Sequence, residues 1–228
     1  MEAEEKRVAG EKAAEFVRDG MIVGLGTGST AAYTVRRLGE MVRQGLAIKG
    51  VPTSNATANL ARSLGIPLVS VDEVDSIDVT IDGADEVDRS FNGIKGGGGA
   101  LLFEKIVAAA SKWVIWVVDS RKMVEQLGGF PLPVEVVPFG FTHVQRRLAE
   151  QGMAPVLRVH DNKPFITDSG NYILDLHLNV IEDPKHLGNR LKMVTGVVEH
   201  GLFLDVVDTV VAGRDGSVEV ISRPKART

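Results

Sequence analysis

The sequence predicts an α/β protein: a mostly parallel sheet with helices on both faces, accompanied by a smaller α+β layer of the split βαβ type. Three observations carry this. Short apolar runs alternate with helical patterns across short loops from Met21 to Val118, as expected of a parallel sheet buried on both faces. A glycine-rich turn, Gly26-Thr27-Gly28-Ser29-Thr30, joins the first apolar run directly to a helix. Beyond Gly128 the pattern changes at Phe130-Pro-Leu-Pro133 and becomes strand-helix-strand twice over.

Glu2 to Asp19 reads as an amphipathic helix, with Val8, Ala9, Ala13, Phe16 and Val17 on one side and Gly20 as its stop. A buried strand follows at Met21 to Leu25, then a helix from Ala31 to Val42. Ile48 to Val51 is a strand, and Ser54 caps a helix that runs through Leu64 and stops at Gly65. Ile66 to Val71 and Asp78 to Ile81 are the next strands. Ala100 to Ala110 is apolar nearly all round except for Glu104 and Lys105, which predicts a buried helix. Lys112 to Val118 is again a strand. In the second region strands are expected at Val134 to Pro138, Pro155 to Val159, Ile166 to Asp168, Tyr172 to Leu178 and Gly196 to Phe203. Helices are expected at Thr142 to Gln151 and Pro184 to Met193. A closing hairpin around Asp215-Gly216 rejoins the first sheet, so the domains divide as 1–128 with 205–228, and 129–204.

The stretch Asp78 to Ser111 concentrates the chemistry. A strand breaks at Asp82-Gly83 into a loop holding two carboxylates, Asp82 and Asp85, followed by Lys95, four glycines from Gly96 to Gly99, and the buried helix. Glu104 inside that helix reads either as half of an ion pair or as a general base, and the nearby Lys95, Asp82 and Asp85 favour the base. The four glycines form either a linker or a loop whose bare N–H groups approach an anion. Gly26 to Thr30 aims a helix N-terminus at an anion, and the hydroxyls of Thr27, Ser29 and Thr30 add donors suited to a phosphate. The dinucleotide pattern fails at Ser29 and no P-loop lysine follows, so the phosphate of a small metabolite outranks a nucleotide; a purely structural capped turn is the other reading. In parallel sheets ligands bind at the carboxyl ends of strands, where both loops fall. Lys122 falls at such an end too, and serves either a ligand or simply the surface.

Composition excludes several classes. A net charge of −4 over 228 residues argues against a nucleic-acid surface, and only the tail from Arg223 to Arg227 is locally basic, read as a solvated end. The absence of cysteine excludes disulfides and thiolate metal sites. His143, His160, His177, His186 and His200 lack metal-ligand spacing, and Asp82 with Asp85 lacks an evident third oxygen ligand, so no metal is expected. The N-terminal stretch lacks the apolar core of a signal peptide, and no run approaches the roughly 18 apolar residues of a membrane span. A cytoplasmic location is expected.

Six segments carry a family resemblance: Met21-IVGLGTGSTAA, Thr53-SNAT, Thr80-IDGADEVD, Lys95-GGGGALLFEKIVA, Phe130-PLPVEVVPFG and Thr167-DSGNYILD. Together, in order and over nearly the whole chain, they resemble type A ribose-5-phosphate isomerase. The resemblance implies a Rossmann-like domain with a smaller ferredoxin-like domain, assembled as a homodimer or homotetramer. It also implies cofactor-free interconversion of ribose 5-phosphate and ribulose 5-phosphate in the pentose phosphate pathway. Glu104 matches the family's proton acceptor. Thr27, Gly28, Ser29, Thr30, Asp82, Gly83, Ala84, Asp85, Lys95, Gly96, Gly97, Gly98 and Lys122 match its substrate-binding segments. The chemistry suits them: one base moves a proton from C2 to C1 through an enediolate, stabilised by Lys95 and the loop amides, while Asp82 and Asp85 orient hydroxyls and assist ring opening. Two other classes compete. A sugar-phosphate-sensing module would normally carry a helix-turn-helix ahead of the sheet, which here begins by Met21; a CoA-transferase-like enzyme would use a glutamate as covalent nucleophile in a longer chain.

Overall fold

The structure, a computed structural model, describes residues 1–223; most of the basic tail lies outside the described residues. In chain order come α1 (Glu2–Ala14), β1 (Ile22–Leu25), α2 (Ala31–Arg43), β2 (Lys49–Pro52), α3 (Asn55–Ser63) and β3 (Val79–Gly83). Next are β4 (Glu86–Val87), β5 (Gly93–Ile94), α4 (Leu101–Ala109), β6 (Val114–Asp119), β7 (Leu132–Val136) and α5 (Phe141–Glu150). Then follow β8 (Pro155–Leu157), β9 (Val159–His160), β10 (Lys163–Pro164), β11 (Tyr172–Leu176) and α6 (Pro184–Lys192). The last are β12 (Val197–His200), β13 (Leu202–Phe203), β14 (Thr209–Arg214) and β15 (Ser217–Ser222). These elements build two compact units. One comprises Met1–Ala84, Phe103–Met123 and the described residues from Asp205 onward; the other comprises Asp85–Leu102 and Val124–Leu204. Where the sequence puts its cut at Gly128, the chain therefore changes unit earlier and more often.

The first unit is Rossmann-like. Its six-stranded sheet runs β15-β14-β6-β3-β1-β2, parallel throughout except for the antiparallel edge strand β15. One face buries Val23, Leu25, Val79, Ile81, Ile115, Val117 and Val211 against Ala9 and Ala13 of α1, Val35 and Leu38 of α2 and Ala61 of α3. On the other face Val107 of α4 packs with Val51 and Ile77. Gly24 lets α4 approach the strands closely: a Cβ there would lie 2.9 Å from Val107 Cγ1. Apolar burial of this kind stabilises by roughly 1.5–3 kcal/mol per large side chain before entropy is subtracted.

The second unit is ferredoxin-like. Its antiparallel sheet has the order β12-β7-β11-β8 and two helices, giving β7-α5-β8 and β11-α6-β12 as the two halves. Leu132, Val134, Val136, Leu174 and Leu176 meet Val144 and Leu148 of α5 and Leu191 of α6 in one core. A three-stranded sheet, β13-β5-β4, also belongs to this unit, as does the β9–β10 hairpin. Glu86 of β4 accepts the N–H groups of Gly128 at 2.7 Å and Phe130 at 2.6 Å, fixing the entry to β7.

Several expectations need correction. The first helix ends at Ala14, because Glu15, Phe16 and Val17 bond three residues back in a tightened last turn. Ile66 to Val71 makes only a single bridge, Gly50 to Leu68; Pro67 lacks a donor and Ser70 caps a short 3₁₀ turn at Val71–Glu73. Ile166 to Asp168 is not a strand, since Thr167 and Ser169 turn their hydroxyls to the buried Glu135. Gly196 to Phe203 is two strands broken at Gly201, whose N–H bonds Pro133 O at 2.7 Å. Helix α4 is not buried all round, for Ile106 is 46% exposed. The strand expected to break at Asp82-Gly83 runs through both residues.

Candidate active site

In the first unit the carboxyl ends of β1 and β3 are tied together through Asp82. Its Oδ1 accepts the N–H of Thr27 at 2.9 Å and of Gly83 at 2.8 Å, and the side chain is only 2% exposed. Gly26 is required here because any Cβ would run into the Asp82 carboxylate. Thr27 does not offer its hydroxyl outward. Its Oγ1 lies 2.7 Å from Thr53 Oγ1, 2.8 Å from Ser54 Oγ and 3.1 Å from Thr57 Oγ1, and Thr57 in turn donates to Gly26 O at 3.0 Å. Residues 53–57, read from the sequence as a helix start and a family-resembling segment but not as part of the turn, thus brace it from β2 and α3. Gly28 (φ +116°) and Ser29 are exposed, while Thr30 is buried at the cap position of α2 with helical backbone angles.

Glu104 lies in the first turn of α4 and is 4% exposed. A helix N-terminal turn favours an anionic side chain through the aligned peptide dipoles, so the position suits a carboxylate held away from bulk water. Lys122 ends the single 3₁₀ turn Ser120–Lys122 that follows β6 and is half-buried. That turn is held from α1, a contact that no motif announces. Glu5 Oε2 accepts the Ser120 N–H at 3.0 Å and its hydroxyl at 2.9 Å, and these bonds, the backbone one first, hold the Glu5 carboxyl below its ordinary range. Glu2, bonded to Lys6 and then to Arg121, is lowered to about 2. Arg121 also meets the fully buried Asp119 at 3.0 Å.

In the second unit Asp85 and Lys95 flank the glycine turn. The Asp85 N–H bonds Ile94 O at 2.8 Å, and its Oδ2 accepts the Gly97 N–H at 2.7 Å. Lys95 is 3% exposed, bonds Gly201 O through its N–H at 2.9 Å, and places its ammonium 5.6 Å from the Phe203 ring centroid. Gly96 (φ +105°) and Gly99 (φ +82°) bracket the exposed Gly97 and Gly98, and the Gly99 N–H closes the turn on Gly96 O at 2.9 Å. Arg158, which no motif singles out, donates to the carbonyls of Gly96 and Gly97. Ala84 is half-buried between the two aspartates in sequence. Among the described residues no group of three or more His, Asp or Glu side chains has a metal-holding arrangement. The described residues contain no helix long and apolar enough to cross a membrane.

The chain as a whole has close counterparts among known proteins. Residues 49–217 match the family described as Ribose 5-phosphate isomerase A (phosphoriboisomerase A). A protein of Streptococcus pneumoniae (strain Hungary19A-6) named Ribose-5-phosphate isomerase A is 57% identical over 97% of this chain and 98% of its own length. One from Streptococcus gordonii with the same name is 54% identical over 96% and 98%. A D-ribose-5-phosphate isomerase solved in complex with phospho-erythronic acid superposes with a TM-score of 0.94 at 40% identity, covering 98% of this chain and all of that one. Ribose 5-phosphate isomerase A from Methanocaldococcus jannaschii gives a TM-score of 0.91 at 42% identity over 96% and 98%. With a family model matching residues 49–217, relatives 54–57% identical over nearly the whole length and solved structures of the same fold, the chain belongs to the ribose 5-phosphate isomerase A family.

Proposed function

We propose that this protein is an aldose-ketose isomerase that interconverts D-ribose 5-phosphate and D-ribulose 5-phosphate through an enediolate, in the non-oxidative pentose phosphate pathway. The observation that carries the mechanism is Glu104, a carboxylate 4% exposed on a largely apolar helix in a member of this family. Glu104 takes the proton from C2 and returns it at C1. The negative charge that appears on the enediolate oxygens is met by the Lys95 ammonium and by the amides of the glycine turn, of which the Gly97 N–H is already held by Asp85 while Gly98 stands exposed. Asp82 and Asp85 orient the sugar hydroxyls and assist ring opening. Both are held in place for the task, since Asp82 accepts the N–H groups of Thr27 and Gly83 and Asp85 accepts that of Gly97.

The phosphate is assigned to the turn Thr27 to Thr30 with Lys122. Because the Thr27 hydroxyl belongs to the cluster with Thr53, Ser54 and Thr57, the phosphate donors are the backbone of Gly28 and the side chains of Ser29 and Thr30. No cofactor or metal enters the scheme. A charged sugar phosphate is retained inside cells, which supports a cytoplasmic location. Homodimer or homotetramer assembly is supported by large apolar side chains left in water on the second unit, Phe139 at 95% and Met193 at 85% exposure. Light scattering of the purified protein tests that point, and a monomer at micromolar concentration counts against it.

The decisive experiment is ribulose 5-phosphate formation from ribose 5-phosphate in EDTA, with Glu104→Gln beside the wild type. The variant is expected to lose about 100- to 10,000-fold in kcat with KM little changed. A loss confined to KM removes Glu104 from the base role, and activity that depends on added Mg²⁺ overturns the metal-free scheme.

A further inference from the structure

Arg158 lies between β8 and β9, with its own N–H bonded to Ile173 O at 2.9 Å. Its guanidinium forks in two directions. Nε reaches Asp175 Oδ2 at 2.9 Å and Nη2 reaches Asp175 Oδ1 at 2.5 Å, while Nη1 donates to Gly96 O at 2.8 Å and Gly97 O at 3.1 Å. The two charged side chains are 16% and 18% exposed, so this bidentate pair is largely withdrawn from water and rigid. Phe165, under the same guanidinium, packs on Gly99, where any Cβ would collide with the ring.

The consequence follows from peptide geometry. The backbone contains no cis bonds among the described residues, and in a trans peptide the C=O and the following N–H point opposite ways. Carbonyls of Gly96 and Gly97 drawn toward Arg158 therefore turn the N–H groups of Gly97 and Gly98 to the far side. Asp85 takes the Gly97 N–H there at 2.7 Å. The Gly98 N–H, on an exposed residue, is thus directed away from the guanidinium. A full positive charge at the carbonyl end also polarises these peptides and strengthens their N–H groups as donors.

From this geometry we infer that Arg158, fixed by Asp175, is a positioning residue for the isomerisation: it holds the glycine turn so that the Gly98 N–H is presented as an oxyanion donor to the enediolate. The inference rests on the assignment of the turn to the enediolate. Four consecutive glycines are otherwise the most conformationally free stretch of backbone available, and a donor that must be ordered during the reaction contributes little to rate.

The test compares Arg158→Met, Arg158→Lys and Lys95→Ala with the wild type. For Arg158→Met, kcat is expected to fall about 10- to 100-fold, as for a misplaced catalytic group, with KM for ribose 5-phosphate within about threefold. Affinity for phospho-erythronic acid, whose carboxylate stands in for the enediolate oxygens, should fall with kcat, whereas inhibition by inorganic phosphate should not change. Hydrogen exchange at 96–99 should accelerate. Wild-type kcat in folded Arg158→Met overturns the inference, as does unchanged exchange at the turn. If Arg158→Met does not fold, Arg158→Lys carries the test: one ammonium cannot span Asp175 and both carbonyls, so wild-type kcat in that variant is equally fatal. Lys95→Ala separates the two levels. Should it keep full kcat, the enediolate assignment itself falls and this inference with it; should it lose kcat while Arg158→Met does not, only the role of Arg158 falls.

Discussion

The two glycine-rich turns of this chain hold their backbones by opposite means. Gly26 to Thr30 is braced by neutral hydroxyls from Thr53, Ser54 and Thr57, with Asp82 collecting the amides beneath. Gly96 to Gly99 is braced by charge, with Asp85 on one amide and the Arg158–Asp175 pair behind two carbonyls. The difference matches what each turn is proposed to meet. A phosphate carries the same charge before, during and after isomerisation, so holding it lowers KM without selecting the transition state. An enediolate acquires its charge only on the way to the transition state, and donors fixed beforehand by a half-buried ion pair act at that moment.

The comparison can be broken most forcefully at Lys95. Lys95→Ala is expected to lower kcat about 100- to 1,000-fold with KM within about threefold, measured at saturating ribose 5-phosphate; a change in KM alone would make the two turns equivalent. Thr30→Ala is expected to raise KM roughly tenfold at constant kcat, the worth of one hydrogen bond to a charged group. A fall in kcat there instead would erase the distinction from the other side. Thr27→Val sharpens it, because the Thr27 hydroxyl is internal: stability in denaturant should drop by about 1–2 kcal/mol while the folded enzyme keeps its kcat. The smallest effect concerns the turn bearing Lys122. Bonds from Ser120 lower the folded-state pKa of Glu5 below its ordinary value of 4.5, so the stabilisation is complete above that value and is lost as pH falls below it. The gap in thermal midpoint between wild type and Glu5→Gln should therefore be widest near neutrality and close in acid; a gap independent of pH would remove the ionised carboxylate as its cause.

Much of this was legible in the sequence where one residue's local chemistry decides the outcome. Ser54 caps α3 as its type predicts, accepting the Thr57 N–H at 3.1 Å. Asp82 stands at the carboxyl end of its strand, and the hairpin at Asp215 rejoins the first sheet. What was illegible depends on pairing between distant segments. The Thr27 hydroxyl is taken by residues 53–57 because Leu25 is in register with Pro52, so the ends of β1 and β2 lie side by side. Arg158 lies 62 residues from Gly96 in a stretch with only strand character, and its partner Asp175 is one of several aspartates in that region. Strands β4, β5 and β13 have two residues each, too few to leave a period in the sequence.

The parallel pairing of β14 with β6 also bears on how the protein is made. Residues 209–214 extend the first sheet beyond β6, and the Asp215 N–H reaches Glu5, 210 positions earlier. During synthesis, at about 5–20 residues per second, the sheet nearest the N-terminus must wait for nearly all of the polypeptide before its last parallel strand can dock, while β7 to β12 of the second unit are already in hand. The incomplete sheet meanwhile presents the open edge of β6, a surface that invites pairing with another nascent chain. Yield from cells should thus depend on translation speed and chaperone supply through this late closure, independently of how stable the finished molecule is.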